Sequence, residues 1–393
     1  CSRRHHPHPP PTTMTDSTPS SKALIASATI AAGAAVAAVA MSKSKSDERA
    51  AVEAAKKTTI AQDVTPESFP DLPSTTTFGT FENKDGVTIH TLSVKAVTAK
   101  PVATVLWIHG VGEHCQRMGK LYEALSKAGV DVYSCDHQGH GLSGGERGYV
   151  ERYAMFIADL EMYVRHIAEE SSSGGSTTGT IPNLYLCGQS MGANLAAHLA
   201  LRLADADIPV AGLFFSSPMF GVDMDVVLKV QDFFGSLLDQ VVPKAKLVDA
   251  VRPQDMSRDL AEVELYEADP LIQHGNMKVH LALQLKWGIE TLKKTRNDIS
   301  APVLLMHGSD DKTTSLPSAL DFFDNIATPQ DKKRMVRLVG MKHEVFHEFG
   351  KEAVVNLVLD FVTKLKLPDG DKPRSEGSDI DGVIEMDLTP PSE

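Results

Sequence analysis

An α/β fold with a mostly parallel central sheet is predicted by three features of the sequence. Short, near-continuously apolar runs recur from about Phe78 to Val339, amphipathic stretches of helical length separate them, and G-Q-S-M-G at Gly188 to Gly192 stands where one apolar run meets a helical one. Strands buried on both faces read as unbroken apolar runs, and parallel neighbours need a crossover that is usually a helix. The elements follow in order. A run near Phe78 and one at Val87 to Val94 flank Lys84-Asp85-Gly86, a turn sequence that predicts an antiparallel hairpin. Val102 to Ile108 is a strand ending in His109-Gly110-Val111-Gly112; Leu121 to Ala128 is a helix; Val130 to Ser134 is a strand entering the glycine-rich turn Asp136 to Ser143. Ala154 to Ala168 is a helix, Ser171 to Thr180 a Ser/Gly/Thr surface loop, Asn183 to Cys187 a strand, Met191 to Ala204 a helix and Val210 to Phe215 a strand.

The alternation then breaks. Pro218 to Thr295 shows no strand pattern but carries amphipathic runs at Val226 to Val241, Arg258 to Tyr266 and Val279 to Leu292. Helices inserted between core strands, on the carboxyl side of a sheet where α/β sites lie, predict a cap at about 218–295 over a pocket. Pro302 to Met306 and Met335 to Val339 resume the strands, with helices at Ser318 to Ile326 and Glu352 to Leu365. The folded domain therefore spans 76–366, and 367–393 is expected to be an acidic, disordered tail.

Composition limits the function classes. A 42% hydrophobic content among 393 residues supports a sizeable core, and a formal charge of -12 disfavours nucleic acid, whose phosphates an acidic surface repels. Pro368 to Glu393 holds eight acidic residues against Lys372 and Arg374, a net of -6, so the body is only mildly acidic. Cys1, Cys115, Cys135 and Cys187 form no C-x-x-C and no metal-ligand spacing, and a reducing compartment is expected. Residues 1–75 read as a disordered N-terminal region. Within it Ala23 to Met41 is nineteen residues without a charge, followed by Lys43 and Lys45, and is read as a membrane anchor or targeting segment. A cleaved signal peptide and an Ala-rich linker are its alternatives. The chain is accordingly expected to be membrane-associated and otherwise cytoplasmic.

The chemistry centres on Ser190. A serine hydroxyl needs a base within hydrogen-bond reach and a third group to orient that base, and in a strand-turn-helix setting the chain order should be Ser, acid, His. Downstream, Pro302-Val-Leu-Leu-Met-His-Gly-Ser-Asp-Asp311 is a strand entering an acidic turn, and Met335 to His343 is a strand entering a histidine. Asp310 and Asp311 both compete for the acid. His343 is preferred over His347 because it follows its strand directly. An oxyanion needs backbone donors, supplied by the N–H of Met191 after the nucleophile and, from the His109 to His114 loop, that of Val111.

These motifs together resemble the monoglyceride lipase and lysophospholipase branch of the α/β-hydrolase superfamily, the serine aminopeptidase S33-type hydrolases. The resemblance covers about 76–366 and rests on H-G-V-G-E-H-x-x-R at His109 to Arg117, D-H-Q-G-H-G-L-S at Asp136 to Ser143, G-E-R-G at Gly145 to Gly148, G-Q-S-M-G, A-D-P-L at Ala268 to Leu271, G-S-D-D at Gly308 to Asp311 and G-M-K-H-E at Gly340 to Glu344. It implies an α/β-hydrolase fold, Ser190, Asp311 and His343 as catalytic triad, Val111 and Met191 as oxyanion donors, and no metal or cofactor. Glu113, Arg117 and Tyr266 match positions near the alcohol end of the family's pocket and would contact glycerol hydroxyls; Glu113 and Arg117 as an ion pair holding the loop is the alternative. The expected activity is hydrolysis of a monoacylglycerol to fatty acid and glycerol, with membrane contact through the cap. Lysophospholipase, carboxylesterase or thioesterase activity is the enzymatic alternative, and a ligand-binding protein retaining the fold is the other. Nothing in the sequence bears on oligomeric state.

Overall fold

A computed structural model of the chain describes residues 69–173, 181–221, 239–248, 251–368 and 380–388. The segment at 23–41, the acidic stretch between 368 and 380 and most of the Val226 to Val241 run lie outside the described residues.

Nine strands form one sheet. β1 (Thr76–Glu82) and β2 (Thr88–Val94) make the expected antiparallel hairpin, and β2 is also antiparallel to β4 (Val130–Cys135). From there the sheet is parallel: β4 pairs β3 (Ala103–Ile108), then come β5 (Leu184–Gln189), β6 (Gly212–Ser216), β9 (Val303–Gly308), β10 (Lys333–Val339) and β11 (Val383–Asp387). All residues of β3, β5, β6 and β9 are buried, which is why these runs are apolar without alternation. Their side chains nonetheless divide between two cores. Leu106 and Ile108 of β3 join one core, while Val105 and Trp107 join the other.

Helices α1 (Gly119–Lys127), α2 (Tyr153–Ser173) and α3 (Met191–Asp205) follow the first strands; α1 and α3 lie as expected to within a turn, and α2 runs five residues past its expected end, into the start of the Ser/Gly/Thr stretch. The core beneath α2 and α3 includes Leu160, Val164, Leu195 and Leu199; the opposite core takes Leu121 and Leu125 from α1.

The insertion is less simple than its sequence. Two short strands, β7 (Lys246–Val248) and β8 (Met277–Lys278), pair antiparallel where no strand was expected. Three and two residues are too few to impose a period-2 pattern. Helices α4 (Leu260–Ala268) and α5 (Val279–Thr295) are present, and α5 lies on the body: a Cβ at Gly288 would come within 2.6 Å of the Tyr153 ring, and His198 Nε2 lies 2.9 Å from the Gly288 carbonyl oxygen. Helices α6 (Leu316–Asn325) and α7 (Lys351–Lys364) complete the layers.

One expectation is overturned. Part of the stretch read as a disordered tail forms β11, an edge strand whose Ile384 is buried, so the ordered unit extends past residue 366. Acidic composition favours disorder only when the apolar residues find no surface to cover; here Ile384, Met386 and Leu388 reach the core beside α7. Among the described residues no helix is long and apolar enough to cross a membrane.

Candidate active site

Ser190 follows β5 directly and precedes α3. Its backbone sits at φ 55° and ψ -120°, a conformation that an L-residue adopts only under constraint. The two flanking glycines explain how the turn is held. A Cβ on Gly192 would lie 2.0 Å from the Ile108 carbonyl oxygen, and one on Gly188 would lie 2.4 Å from the Gly192 backbone, so strand and helix approach as only glycine permits. The Ser190 N–H donates to the Ser216 carbonyl at 3.0 Å, tying the turn to β6.

The acid and the base arise two and three strands further across the sheet. Asp311 follows β9 and His343 follows β10, and their parallel pairing sets the two loops side by side. His343 Nδ1 lies 2.8 Å from Asp311 Oδ2. A carboxylate only accepts, so Nδ1 carries the proton and the lone pair is left on Nε2. Asp311 Oδ1 accepts from the N–H groups of Thr313 at 2.7 Å and Thr314 at 3.0 Å, and Oδ2 also accepts from the Thr314 hydroxyl at 2.6 Å. Burial opposes ionisation of Asp311, but His343 beside it and these donors outweigh burial and hold the carboxyl well below its usual range. Burial likewise disfavours the His343 imidazolium, and the Asp311 charge overcomes it, raising the pKa above the ordinary histidine value. Asp310 is not the partner; its carboxylate accepts from the Ser309 hydroxyl at 2.8 Å. His347 is not oriented by Asp311 either. It lies beside Glu344, 3.2 Å from Nδ1 to Oε2. Among the described residues no hydrogen bond joins Ser190 to His343. Such contacts are often long in unliganded enzymes and tighten when substrate binds.

The expected oxyanion donors flank Ser190. Ile108 of β3 is in register with Gly188 of β5, which brings the loop after β3 against the start of α3. A Cβ on Gly110 would be 3.3 Å from Ser190 Cβ, so the backbone leading to Val111 runs beside the serine. Met191 is the first residue of α3, where backbone N–H groups have no intrahelical acceptor and the helix dipole favours negative charge.

Glu113, Arg117 and Tyr266 do meet, but around a residue the sequence reading passed over. Arg117 donates through both terminal nitrogens to Glu344, at 2.5 and 2.8 Å, while Glu113 is 3.6 Å away and the Tyr266 ring lies beneath the guanidinium at 4.9 Å. Burial raises the Glu344 pKa, but Arg117 and then His347 outweigh it, and the carboxylate is held ionised. Glu113 goes the other way: burial and the Glu344 charge raise its pKa against the pull of Arg117. The principal partner of Arg117 is therefore Glu344, which neither reading of the Glu113 and Arg117 pair anticipated. That partner stands in the same G-M-K-H-E motif as His343, the one signal that could have pointed to it.

The Asp136 to Ser143 turn is a joint beneath the site. Asp136 accepts from the N–H of Cys115 at 2.7 Å and of Leu142 at 2.6 Å, and His137 N–H donates to His109 Nε2 at 3.0 Å. Among the described residues, the group that could hold a metal is His90, Cys115 and Asp136, buried with one ligand atom each within 4.8 Å of the others. His90 lies in β2, Asp136 directly follows β4, and Cys115 follows the His109 to His114 loop.

A strained serine after the fifth strand, an oriented histidine after the tenth and a glycine-rich loop beside both define an α/β-hydrolase site. The chain matches the serine aminopeptidase S33 family over residues 99–350, and it belongs to that family, in the monoglyceride lipase branch; it is a carboxylic ester hydrolase. It is 28% identical to human monoglyceride lipase over 72% of this chain and 91% of that protein. An uncharacterized abhydrolase domain-containing protein of Dictyostelium discoideum is 30% identical over 69% of this chain, which spans 28% of that protein's length. Among solved structures, a soluble variant of Saccharomyces cerevisiae monoglyceride lipase in complex with a substrate analog superposes with a TM-score of 0.64 at 20% identity, covering 76% of this chain and 97% of that one.

Proposed function

We propose that the protein hydrolyses monoacylglycerols to a free fatty acid and glycerol through an acyl-enzyme on Ser190. The observation that carries this reading is the constrained Ser190 turn facing the loops of a sheet in which Asp311 orients His343, 2.8 Å apart. Ser190 Oγ attacks the ester carbonyl and its proton passes to His343 Nε2, while the Val111 and Met191 N–H groups hold the oxyanion. His343 returns the proton to the departing glycerol oxygen, then takes one from a water that attacks the acyl-enzyme and releases the fatty acid. Glu113, pushed toward its neutral form next to Gly110, suits a hydroxyl-bearing alcohol. Arg117 is engaged by Glu344 and offers no free charge to a phosphate head group, which favours glycerol over a lysophospholipid. The hydrolase domain begins at 76, with 218–295 as its cap. Exposed Val241, Leu247, Leu260 and Leu265 in that cap suit contact with a lipid surface, and 23–41 is assigned as an anchor.

A fluorophosphonate probe should label wild type and leave Ser190→Ala unmodified. In a panel of monoacylglycerols, lysophospholipids, thioesters and short-chain esters, monoacylglycerols should give the highest kcat/KM. A folded wild type that resists the probe rejects the nucleophile, and a preference for lysophospholipids rejects the substrate while keeping the chemistry.

A further inference from the structure

The edge strand β11 lies where it can act on the base. β11 is parallel to β10 with Met335 opposite Val383 and Val339 opposite Asp387, and its entry is fixed by the Met335 N–H donating to the Gly382 carbonyl at 3.0 Å. Gly382 stands at φ +85°, a left-handed backbone that glycine adopts without strain, and this turn leads the segment into the sheet. Along the strand Glu385 pairs with Arg337 at 2.6 Å, Ile384 is buried, and Met386 and Leu388 pack on the core that holds Val354, Val358 and Phe361. At its exit Leu388 meets Gly350, where a Cβ would be 2.8 Å from both the Leu388 side chain and its carbonyl oxygen.

Val339 and Gly350 are the two ends of the loop that carries His343. The end of β11 and Leu388 after it therefore touch the last residue before that loop and the residue that opens α7 after it. The family match ends at residue 350, so this strand lies outside the part of the chain the family defines.

We propose that residues 380–388 form a strap that binds the edge of β10 and holds the His343 loop at both ends, positioning the imidazole for its work on Ser190. The edge is in effect a peptide site, filled by an extended segment with apolar residues toward the α7 face and an acid opposite Arg337, that can be supplied in trans. The positioning role rests on the assignment of His343 as base; the occupancy of the edge does not.

The test uses the full chain. Ile384→Asp puts a charge into the core and should release the strand; Ile384→Val should keep it. Release is read by hydrogen exchange in 333–350, which should quicken. Fluorophosphonate labelling of Ser190 and kcat should then fall by roughly 10- to 100-fold, the size expected when a reacting group is misplaced by about 1 Å, with KM within about twofold of wild type. A synthetic peptide of residues 380–388 added to Ile384→Asp should restore both protection and labelling. Should Ile384→Asp fail to fold, Glu385→Arg sets like charges opposite Arg337 and releases the strand more gently. Faster exchange with undiminished labelling would show a merely structural strand and overturn the positioning role, and exchange unchanged by either substitution would overturn the strap. A wild type that is never labelled would instead reject the Ser190 and His343 assignment, leaving exchange and peptide rescue to decide edge binding.

Discussion

Arg117 is where residue identity and residue role part company. Its spacing four residues after Glu113 is that of a local ion pair, yet its two-pronged hydrogen bond goes to Glu344, 227 positions away. No single-sequence pattern encodes a partner at that separation, whereas the order Ser190, acid, His343 was legible because each follows an apolar strand run, with Asp311 chosen over Asp310 only by the family resemblance. The consequence is testable. If Arg117 were a substrate contact, Arg117→Ala would raise KM and leave stability alone. As the buried counter-charge of Glu344 beside a second carboxyl, its loss should instead destabilise the fold by about 3–5 kcal/mol, the usual cost of stranding a buried charge. Urea denaturation with parallel KM measurements separates the two.

At the scale of elements, β3, β5, β6 and β9 were legible because burial on both faces leaves little but apolar side chains. β11 was not. Its Val-Ile-Glu-Met-Asp is set within an acidic stretch, and as an edge strand it carries polar positions that resemble those of a tail. β7 and β8 were too short to show a period. The meeting of β3, β5 and α3 is the tightest of these joints, and it fixes the turn at Ser190. Alanine is the better helix former, so Gly192→Ala in α3 would by propensity stabilise the protein by about 1 kcal/mol. The Cβ would stand 2.0 Å from the Ile108 carbonyl oxygen, a backbone atom that no rotamer change can move. Gly192→Ala should therefore destabilise by about 3 kcal/mol or more, with fluorophosphonate labelling reduced as the turn shifts. A midpoint in urea equal to or above that of wild type would mean that the strand and helix are looser than they stand.

For the whole molecule, stability against pH depends on which buried groups change charge on unfolding. Asp159 is buried with only neutral donors, Asn83 Nδ2 at 2.9 Å and Gln138 Nε2 at 2.8 Å, and burial outweighs both, pushing its pKa to about 7. A carboxyl raised in the folded state stabilises most below its unfolded pKa, and that contribution is lost as pH rises through about 7, with a slope near 1.4 kcal/mol per pH unit in between. His343, also raised, works in the same direction as pH climbs past the ordinary histidine value. Asp311 and Glu344 are depressed, so their stabilisation is already complete above the usual carboxylate range and is lost only in acid. Burial lowers the pKa of His90, His109, His137, His140 and His198, so each of these neutral imidazoles adds stability as pH rises toward the ordinary histidine value. Together they outweigh Asp159, and the protein should gain stability up to about pH 6.5 and lose it only above that. Asp159→Asn isolates the carboxyl that runs against the histidines. An amide has one acceptor oxygen for two donors, so the variant gives up a hydrogen bond, about 1 kcal/mol, and should melt below wild type near pH 4, where the unfolded carboxyl is still partly protonated. At pH 8 it carries no buried charge and should melt above wild type. Thermal melts of the two proteins between pH 4 and 8 should cross, and parallel curves would show that burial does not raise the Asp159 carboxyl.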